Sequence, residues 1–418
     1  MQATSKDLRY PLNGINLKDI ELFLPGFPHE IFSKLRRDAP VYWNEDPEPE
    51  EPGFWALTRY EDVLAVSKNP ELFSSAVGGH QISYPPGVEF SQATRAIVAN
   101  MIGMDPPEHN AYRKLVSPGF RPKAVDGLEE RIRAIVTRAI DAVAARGRCE
   151  LVSEVAAELP VAVLADLLGI PDQDRRKLFE WSNRLVGLQD PEVMANVEDA
   201  LVTFAEVFAY GKALVEERRR HPTKDLMGIM AHGEVDGERI EGEMLDGFFL
   251  LLVIAGNETT RNSIAGGVQV LAEHPDQRRL LIEDPSLIPG AVEEILRWVS
   301  PVIHFRRTAT ADTEIRGQTI REGDKVVMWY PAANNDEEVF EDPYRFDILR
   351  TPNEHLAFGA GQHFCLGARL ARLQLKIMFE ELLRRLPDIA IDGEVKRFRS
   401  YFISGFRQMP VRFTPESV

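Results

Sequence analysis

The sequence predicts a mainly α-helical protein with a smaller β region. Helical spacing of apolar residues dominates from Tyr60 onward, whereas the short alternating runs that are typical of strands occur in only a few places. The chain has 418 residues, of which 44% are hydrophobic, so it can bury a large core. Together these observations favour a large helical fold that carries small sheets.

We expect a single domain over residues 1–418. Length alone would allow two or three domains, but no linker divides the chain, because the Pro- and Glu-rich run 44–53 is short and flanked by aromatic residues. The β-rich parts are expected near 40–60, 302–330 and 400–414. No internal repeat or low-complexity tract suggests another organisation.

Charge and cysteine content exclude several classes of protein. The formal net charge is −16, which argues against nucleic acid as a partner, since phosphate binding requires a basic surface. The two cysteines, Cys149 and Cys365, indicate a reducing compartment and no disulfide framework. Residues 1–26 hold no apolar run near the ~20 residues that a membrane span requires. We expect a cytoplasmic monomer without a membrane span.

The N-terminal part begins with short strands. Alternating apolar runs at 41–43 and 54–58 predict a small sheet. The segment 74–104 contains Gly78-Gly79 and Pro85-Pro86-Gly87 and is expected to be a long loop. Loops of that length in a compact chain are usually functional.

A helix is expected to start at Asp105-Pro106-Pro107, because proline is tolerated in a first turn. His109 and Arg113 follow four residues apart, which places them on one face of this helix. Taken alone, such a pair is more often solvated surface than a binding site.

The segment 248–255 is apolar on all sides, which indicates a helix that crosses the interior. It leads into Gly256-Asn257-Glu258-Thr259-Thr260, where an acid and hydroxyls stand at buried positions. Such departures from packing preference often mark function. A helix end with an Asn or Glu cap is the structural alternative, but the helical spacing continues through Ile264 and Val268.

A strand is expected to begin at Val302. Because side chains alternate along a strand, Arg306 and Arg307 are expected to point to opposite sides. Val302 and Ile303 are expected to face a pocket. His304 is either a substrate contact or an ordinary strand residue. Further β structure is expected as a hairpin over 313–320, a strand over 325–329 and a last hairpin that joins 401–405 to 411–413.

The stretch 357–367 carries the strongest chemical signal. Three glycines within it indicate a tight loop whose backbone comes close to a bulky group. Leu366, Leu370, Leu373 and Ile377 then recur with helical spacing. A cysteine where a helix begins is exposed to unpaired amides, which favour its thiolate, so Cys365 is a candidate metal ligand.

The spacing of Phe358, Gly361, Cys365 and Gly367, with His363 two places before the thiol, resembles the haem-binding loop of the cytochrome P450 family. The resemblance implies the P450 fold and haem b (iron protoporphyrin IX), with its iron held by Cys365. Contacts with the haem are then expected from other residues of this region, namely Ala357, Phe358, Gly359, His363, Gly367 and Ala371. By the same resemblance, His109, Arg113 and Arg307 bind the haem propionates.

Two further segments carry the resemblance. The stretch from Ala255 to Thr260 resembles the family's oxygen-binding helix, which implies that Ala255 and Gly256 leave room for dioxygen. It also implies that Thr259 hydrogen-bonds to bound oxygen and that Glu258, in place of the commoner Asp, relays protons. Glu294 and Arg297 match the family's Glu-x-x-Arg, which implies a structural pairing with the segment 343–350.

The resemblance implies a haem-thiolate monooxygenase that hydroxylates an unactivated C–H bond with dioxygen and two electrons. The electron donor is expected to be a ferredoxin with its reductase. Basic residues on segments that flank the Cys365 side of the haem in the family are expected to attract it by charge, and they are Arg113, Lys114, Arg121, Lys123, Arg369 and Arg372. The alternatives are a peroxide-driven haem-thiolate enzyme and a non-catalytic haem gas sensor or carrier.

The substrate is expected to be a hydrophobic small molecule. The runs 255–262, 334–340 and 409–413 resemble those of bacterial members that oxidise terpenoids, steroid side chains and alkyl or branched lipid chains. Burial of aliphatic surface would provide most of the affinity, at about 25 cal/mol per Å². The expected pocket residues are Phe249, Val253, Val302, Ile303, Phe402 and Ile403.

Overall fold

A computed structural model describes residues 14–46, 52–83, 99–190, 192–194 and 196–416. Helices make up most of the fold, as the sequence predicts. They are α1 (His29–Asp38), α2 (Tyr60–Lys68), α3 (Glu108–Val116), α4 (Pro122–Asp126), α5 (Glu129–Ala144), α6 (Glu158–Leu168), α7 (Arg175–Val186), α8 (Val197–Arg220), α9 (Leu226–His232), α10 (Gly242–Glu273), α11 (Pro275–Glu283), α12 (Ile288–Val299), α13 (Tyr330–Ala333) and α14 (Ala368–Arg385).

The strands are short and form small sheets. They are β1 (Val41–Asn44), β2 (Phe54–Leu57), β3 (Phe73–Ser74), β4 (Arg148–Glu150), β5 (Glu234–Val235), β6 (Glu238–Arg239), β7 (His304–Ala309), β8 (Thr313–Ile315), β9 (Gln318–Ile320), β10 (Lys325–Trp329), β11 (Ala390–Ile391), β12 (Lys396–Arg397), β13 (Phe406–Gln408) and β14 (Pro410–Arg412). The largest sheet has the order β1-β2-β10-β7-β3. Its β2–β10 pair is parallel and its other pairs are antiparallel.

The helix α10 crosses the middle of the molecule. Its 32 residues span about 48 Å at ~1.5 Å per residue, and it packs against α6, α7, α8, α12 and α14. One apolar cluster joins its C-terminal half to α5, α12 and α14, and a second joins its N-terminal half to the helices from α6 to α9. The helix continues through 256–260 without a break, so the alternative of a helix end there is wrong.

The predicted C-terminal hairpin is wrong in its pairing. Strand β13 pairs with β12, whereas β14 pairs with β4 and β11. A single residue, Met409, separates β13 from β14, and this is shorter than the two-residue loop that a tight hairpin needs. Strand β7 also begins two residues later than expected, at His304, although Val302 forms an isolated bridge with Ile403.

Other sequence predictions are confirmed or lie outside the described residues. The strands near 41–43 and 54–58, the hairpin over 313–320 and the strand over 325–329 are all present. Residues 84–98 of the predicted long loop lie outside the described ranges. In the part of the chain that the structure describes, every helix is too short or too polar to cross a bilayer.

Candidate active site

The Cys365 loop is shaped by glycines with left-handed backbone angles. Gly361 has φ +67°, and a Cβ there would lie 2.7 Å from the carbonyl oxygen of Ser67, so only glycine fits. The Cys365 N–H donates to the Phe358 carbonyl at 2.9 Å, which closes the loop. Helix α14 then starts at Ala368, three residues after the thiol rather than at it.

The pKa of the Cys365 thiol is raised, contrary to the expectation from its place near a helix end. Desolvation inside the protein is the largest cause, while a hydrogen bond from the Gly367 backbone and the charges of Arg113 and Arg372 act in the opposite direction. Two arginines therefore offset only part of the desolvation. A bound metal cation would supply the missing positive charge, because a coordinating thiol loses its proton.

The side chain of Cys365 opens into an internal cavity bounded by α10 on one side and by the Cys365 loop and α14 on the other. Every residue that the sequence assigns to haem contact lines this cavity. They are His109, Arg113, Ala255, Gly256, Thr259, Arg307, Ala357, Phe358, Gly359, His363, Cys365, Gly367 and Ala371. The fold thus brings together residues that lie more than 250 positions apart in the sequence, from His109 to Ala371.

Two guanidinium groups face this cavity without an acidic partner. Neither Arg113 nor Arg307 forms an ion pair with a carboxylate among the described residues. Arg113 Nη2 donates to the Phe364 carbonyl at 2.6 Å, and Arg307 Nη1 donates to the Arg306 carbonyl at 2.8 Å. Arg307 is buried and Arg113 is half-buried. Cations withdrawn from water are normally paired, so these two favour an anionic ligand. The side chain of Arg306 turns to the Gln81 carbonyl and Thr308, so the predicted opposite orientation of the two arginines is confirmed.

Two imidazoles complete the polar end of the cavity. The ring centroids of His109 and His363 are 4.2 Å apart. Burial lowers the pKa of His363 to about 2 and also lowers the pKa of His109, so both rings are neutral near pH 7. His363 Nε2 is hydrogen-bonded to Ser75 Oγ at 3.2 Å. The positive charge at this end therefore comes from arginine alone, and the histidines add hydrogen-bonding groups.

The small residues of α10 serve helix packing as well as the cavity. A Cβ on Gly256 would lie 2.9 Å from Leu164 Cδ1 of α6, so this glycine lets the two helices approach closely. The prediction that Gly256 makes room for oxygen therefore covers only part of its role. Thr259 lines the cavity, and its Oγ1 donates to the Ala255 carbonyl at 3.1 Å.

Glu258 is buried in an ion pair and does not line the cavity. Its carboxylate accepts a hydrogen bond from Arg261 Nη2, and Arg261 Nη1 donates to Asn183 Oδ1 of α7 at 2.5 Å. Burial raises the pKa of Glu258, and the charge of Arg261 opposes that effect. Arg261 was not among the predicted site residues, although its spacing of three from Glu258 on a helix is a signal for such a pair.

Glu294 and Arg297 form a buried network that supports the Cys365 loop. Arg297 Nε and Nη2 donate to the Glu294 carboxylate, both at 2.8 Å, and neither side chain is exposed. Arg297 Nη1 also donates to the Pro343 carbonyl at 3.0 Å, while Arg350 Nε donates to Glu294 Oε2 at 3.2 Å. The predicted pairing with the segment 343–350 is confirmed.

Most of the expected pocket residues lie in the core instead. Val302 lines the cavity, but Phe249, Val253, Ile303, Phe402 and Ile403 do not. His304 is fully buried, and its Nδ1 is hydrogen-bonded to the Tyr401 carbonyl at 3.1 Å, so it is not a substrate contact. The apolar wall comes from residues that the sequence analysis did not select, including Met101, Ile102, Val163, Leu164, Leu167, Leu251, Leu252 and Phe305.

Comparison with known proteins agrees with this architecture. A family model described as Cytochrome P450 matches residues 54–388. A linalool 8-monooxygenase of Pseudomonas putida is 40% identical over 404 residues, which cover 96% of this chain and 99% of that protein. A methyl-branched lipid omega-hydroxylase of Mycobacterium bovis is 41% identical over 398 residues, which cover 92% of this chain and 90% of that protein.

A solved structure supports the same assignment. It is that of a Mycobacterium marinum cytochrome P450 in complex with pseudoionone, which matches with a TM-score of 0.89 at 37% identity and covers 98% of this chain and 100% of that one. Similarity in sequence and in fold thus extends over nearly the whole chain. The protein belongs to the cytochrome P450 family and is a haem-dependent monooxygenase.

Proposed function

We propose that this protein hydroxylates an unactivated C–H bond of a hydrophobic terpenoid, steroid side chain or alkyl chain. The observation that carries the proposal is one internal cavity that holds the Cys365 thiol and the Thr259 hydroxyl and whose wall is largely apolar away from its arginine- and histidine-lined end. Such a wall favours aliphatic ligands, because burial of apolar surface provides their affinity. The names of the two relatives, which refer to linalool and to methyl-branched lipids, support the same class of substrate.

The residues of the cavity fit haem b. Cys365 would provide the single thiolate ligand that the family's haem iron takes. Arg113 and Arg307, which form no ion pair within the described part of the chain, suit two propionate carboxylates. His109 and His363 line the same end of the cavity and would offer hydrogen bonds to such carboxylates. Bound in this cavity, haem supplies activation of dioxygen with two electrons and transfer of one oxygen atom to the substrate.

The chain's own residues orient the substrate and move protons. The apolar side chains of α6 and α10 exclude water, which strengthens every polar interaction left inside. The Thr259 hydroxyl holds a proton at the cavity wall, one residue after the carboxylate of Glu258. We propose that Glu258 delivers protons to it when its carboxylate turns away from Arg261.

The substrate class is tested by titration and product analysis. Terpenoid alcohols, fatty acids and sterol ketones are added to the haem-loaded protein, and the spin shift of the haem is recorded. We expect at least one of these classes to shift the spectrum and to yield a product hydroxylated on the aliphatic chain, identified by mass spectrometry. Binding and turnover only with small charged aromatics, such as substituted benzoates, would contradict the substrate class. Turnover with peroxide alone would favour the peroxide-driven alternative.

Removal of the Thr259 hydroxyl should separate oxygen consumption from product formation. In Thr259→Ala we expect the ratio of product to electrons consumed to fall by about 100-fold, because a positioned proton donor typically contributes about 100-fold or more. The electrons should instead appear as hydrogen peroxide. The control is Thr259→Ser, which keeps a hydroxyl and should retain most of the coupling. Unchanged coupling in Thr259→Ala would remove this residue from the proposed mechanism.

The proposed ferredoxin contact depends on fewer charges than the sequence suggests. Arg369 is paired with Asp126, and Arg372 is paired with Glu293. In contrast, Lys114, Arg121 and Lys123 are exposed and form no ion pair with a described residue. These three cations are therefore the ones free to attract an acidic partner.

Charge reversal at these cations should slow reduction by an acidic ferredoxin. We expect the rate of reduction to fall with rising salt in the unmodified protein, because the screening length becomes shorter at high ionic strength. In Arg121→Glu with Lys123→Glu, the rate at low salt should fall by about tenfold. Lys396→Glu is the control, since Lys396 is exposed on β12, which contributes no residue to the cavity. Equal rates in the double variant and the control would contradict this docking surface.

A further inference from the structure

The guanidinium of Arg372 is held between an aromatic ring and a carboxylate, although its side chain is 38% exposed. Its Cζ lies 4.6 Å from the ring centroid of Phe358. Its Nε and Nη2 donate to Glu293 Oε1 and Oε2 at 2.7 and 2.8 Å. Glu293 Oε2 also accepts from His355 Nε2 at 3.2 Å, and the Ala357 N–H donates to His355 Nδ1, which places the imidazole proton on Nε2. This geometry fixes the cation above the aromatic ring.

The ring under that cation belongs to the loop of the metal ligand. The Phe358 carbonyl accepts the Cys365 N–H at 2.9 Å, and the Phe358 ring lines the haem cavity. Arg372 is one of the charged groups whose field reaches the Cys365 sulfur. A cation fixed at this position stabilises negative charge on a metal centre that Cys365 ligates.

The pair is ionised under working conditions. Burial pushes the pKa of Glu293 upward, but hydrogen bonds from His355 and Arg372 bring it down to about 2. Glu293 therefore carries its charge near pH 7 and holds Arg372 in place with two parallel hydrogen bonds. Because the carboxylate offsets part of the cation's field, the two residues act on the metal centre with opposite signs.

We propose that Arg372 is a positioning residue that sets the reduction potential of the haem, and that Glu293 fixes it over Phe358 and moderates its effect. The proposal rests on the proposed haem site at Cys365. One-electron reduction adds negative charge to the centre, so a fixed cation nearby favours the reduced state. Loss of the cation should lower the potential, and loss of the carboxylate should raise it.

The helix offers a matched control one turn away. Arg369 has the same side chain on the same helix, but its guanidinium binds Asp126 at the surface, with Nη2 to Oδ1 at 2.7 Å. It touches neither Phe358 nor Cys365 in the described structure. Arg369→Gln therefore removes one positive charge from α14 without disturbing the Cys365 loop.

The test measures the reduction potential of haem-loaded variants by spectroelectrochemical titration. In Arg372→Gln we expect the ferric/ferrous equilibrium to shift toward ferric by about tenfold, which for a one-electron couple is about 59 mV. Arg372→Lys keeps the charge and should shift this equilibrium less than half as far as Arg372→Gln does. Glu293→Gln should shift the equilibrium toward ferrous, and Arg369→Gln should leave it unchanged.

Opposite shifts of the reduction potential in Arg372→Gln and Glu293→Gln distinguish electrostatic control from a merely structural role. Loss of packing alone would shift the potential of both variants in the same direction. If Arg372→Gln does not retain haem, the potentials of Arg372→Lys and Glu293→Gln are compared instead. A small shift toward ferric in the first and a shift toward ferrous in the second would support the proposal. Equal potentials in Arg372→Gln and Arg369→Gln, or shifts of the same sign at Arg372 and Glu293, would overturn the proposal. Absence of the thiolate carbonyl band in the unmodified protein would instead overturn the haem site itself.

Discussion

Replacement of Cys365 by alanine is expected to abolish the red-shifted band that a thiolate-ligated haem shows in its reduced carbonyl complex. Cys365 is the one cysteine whose side chain opens into the cavity, and the other cysteine, Cys149, packs in the core beside α5. Without a thiolate, oxygen activation loses the electron donation that favours O–O cleavage. We therefore expect turnover to fall below detection. Absorption spectra of the reduced, carbonyl-treated protein measure the first effect, and product analysis measures the second.

Cys149→Ala provides the control for this substitution. Cys149 does not line the cavity, and burial raises its pKa to about 12, so it remains a neutral thiol away from the proposed haem site. Its replacement should leave the carbonyl band and the turnover rate intact. A persistent red-shifted band in Cys365→Ala, or its loss in Cys149→Ala, would show that the ligand is assigned to the wrong residue.

Replacement of Arg297 by alanine is expected to destabilise the protein by about 3–5 kcal/mol, the usual cost of breaking a buried ion pair. Glu294 would lose both of its hydrogen bonds from Arg297, and the carbonyls of Asn334 and Pro343 would lose their donor. The midpoint of denaturant unfolding of the haem-loaded protein measures this effect. Haem should also dissociate faster, because the network supports the segment that leads into the Cys365 loop.

An exposed pair gives the matched comparison for Arg297. Arg279 and Glu283 are four residues apart on α11, with side chains 71% and 63% exposed. Arg279→Ala should change the free energy of unfolding by less than about 0.5 kcal/mol. Comparable losses at Arg279 and Arg297 would contradict the structural role of the buried network.

The sequence predicted best where function is encoded by spacing along one element. His109 and Arg113 occupy one helix face, and the loop from Phe358 to Gly367 carries its ligand and its glycines within a few residues. In both cases the spacing itself fixes which side chains lie together. The structure accordingly brings His109, Arg113 and Cys365 to one cavity.

Orientation was harder to predict where an element is buried on all sides. The helix α10 has no polar face that would indicate which way Glu258 points, so its position away from the cavity had to come from the structure. The same holds where β7 begins, since Val302 faces the cavity while Ile303 packs in the core. Apolar character alone does not separate a pocket wall from a core.

Some ion pairs between residues far apart in the sequence were also not predicted. Arg372 was predicted to be a docking charge because the family resemblance places its segment beside the Cys365 side of the haem. Its partner Glu293 lies on α12, and the sequence between them gives no sign of the contact. Sequence reasoning identified the charged residues near the metal ligand, and the fold decided which of them are already paired.

The most direct test of the proposed function is the fate of labelled dioxygen. The haem-loaded protein is supplied with a ferredoxin, its reductase, a reduced pyridine nucleotide and a terpenoid or branched-chain substrate under heavy-isotope oxygen, and the product is examined by mass spectrometry. We predict an alcohol that carries one labelled oxygen atom per molecule, with one reduced nucleotide consumed per product. An unlabelled alcohol, or nucleotide oxidation without any hydroxylated product from these substrate classes, would contradict the proposed hydroxylation.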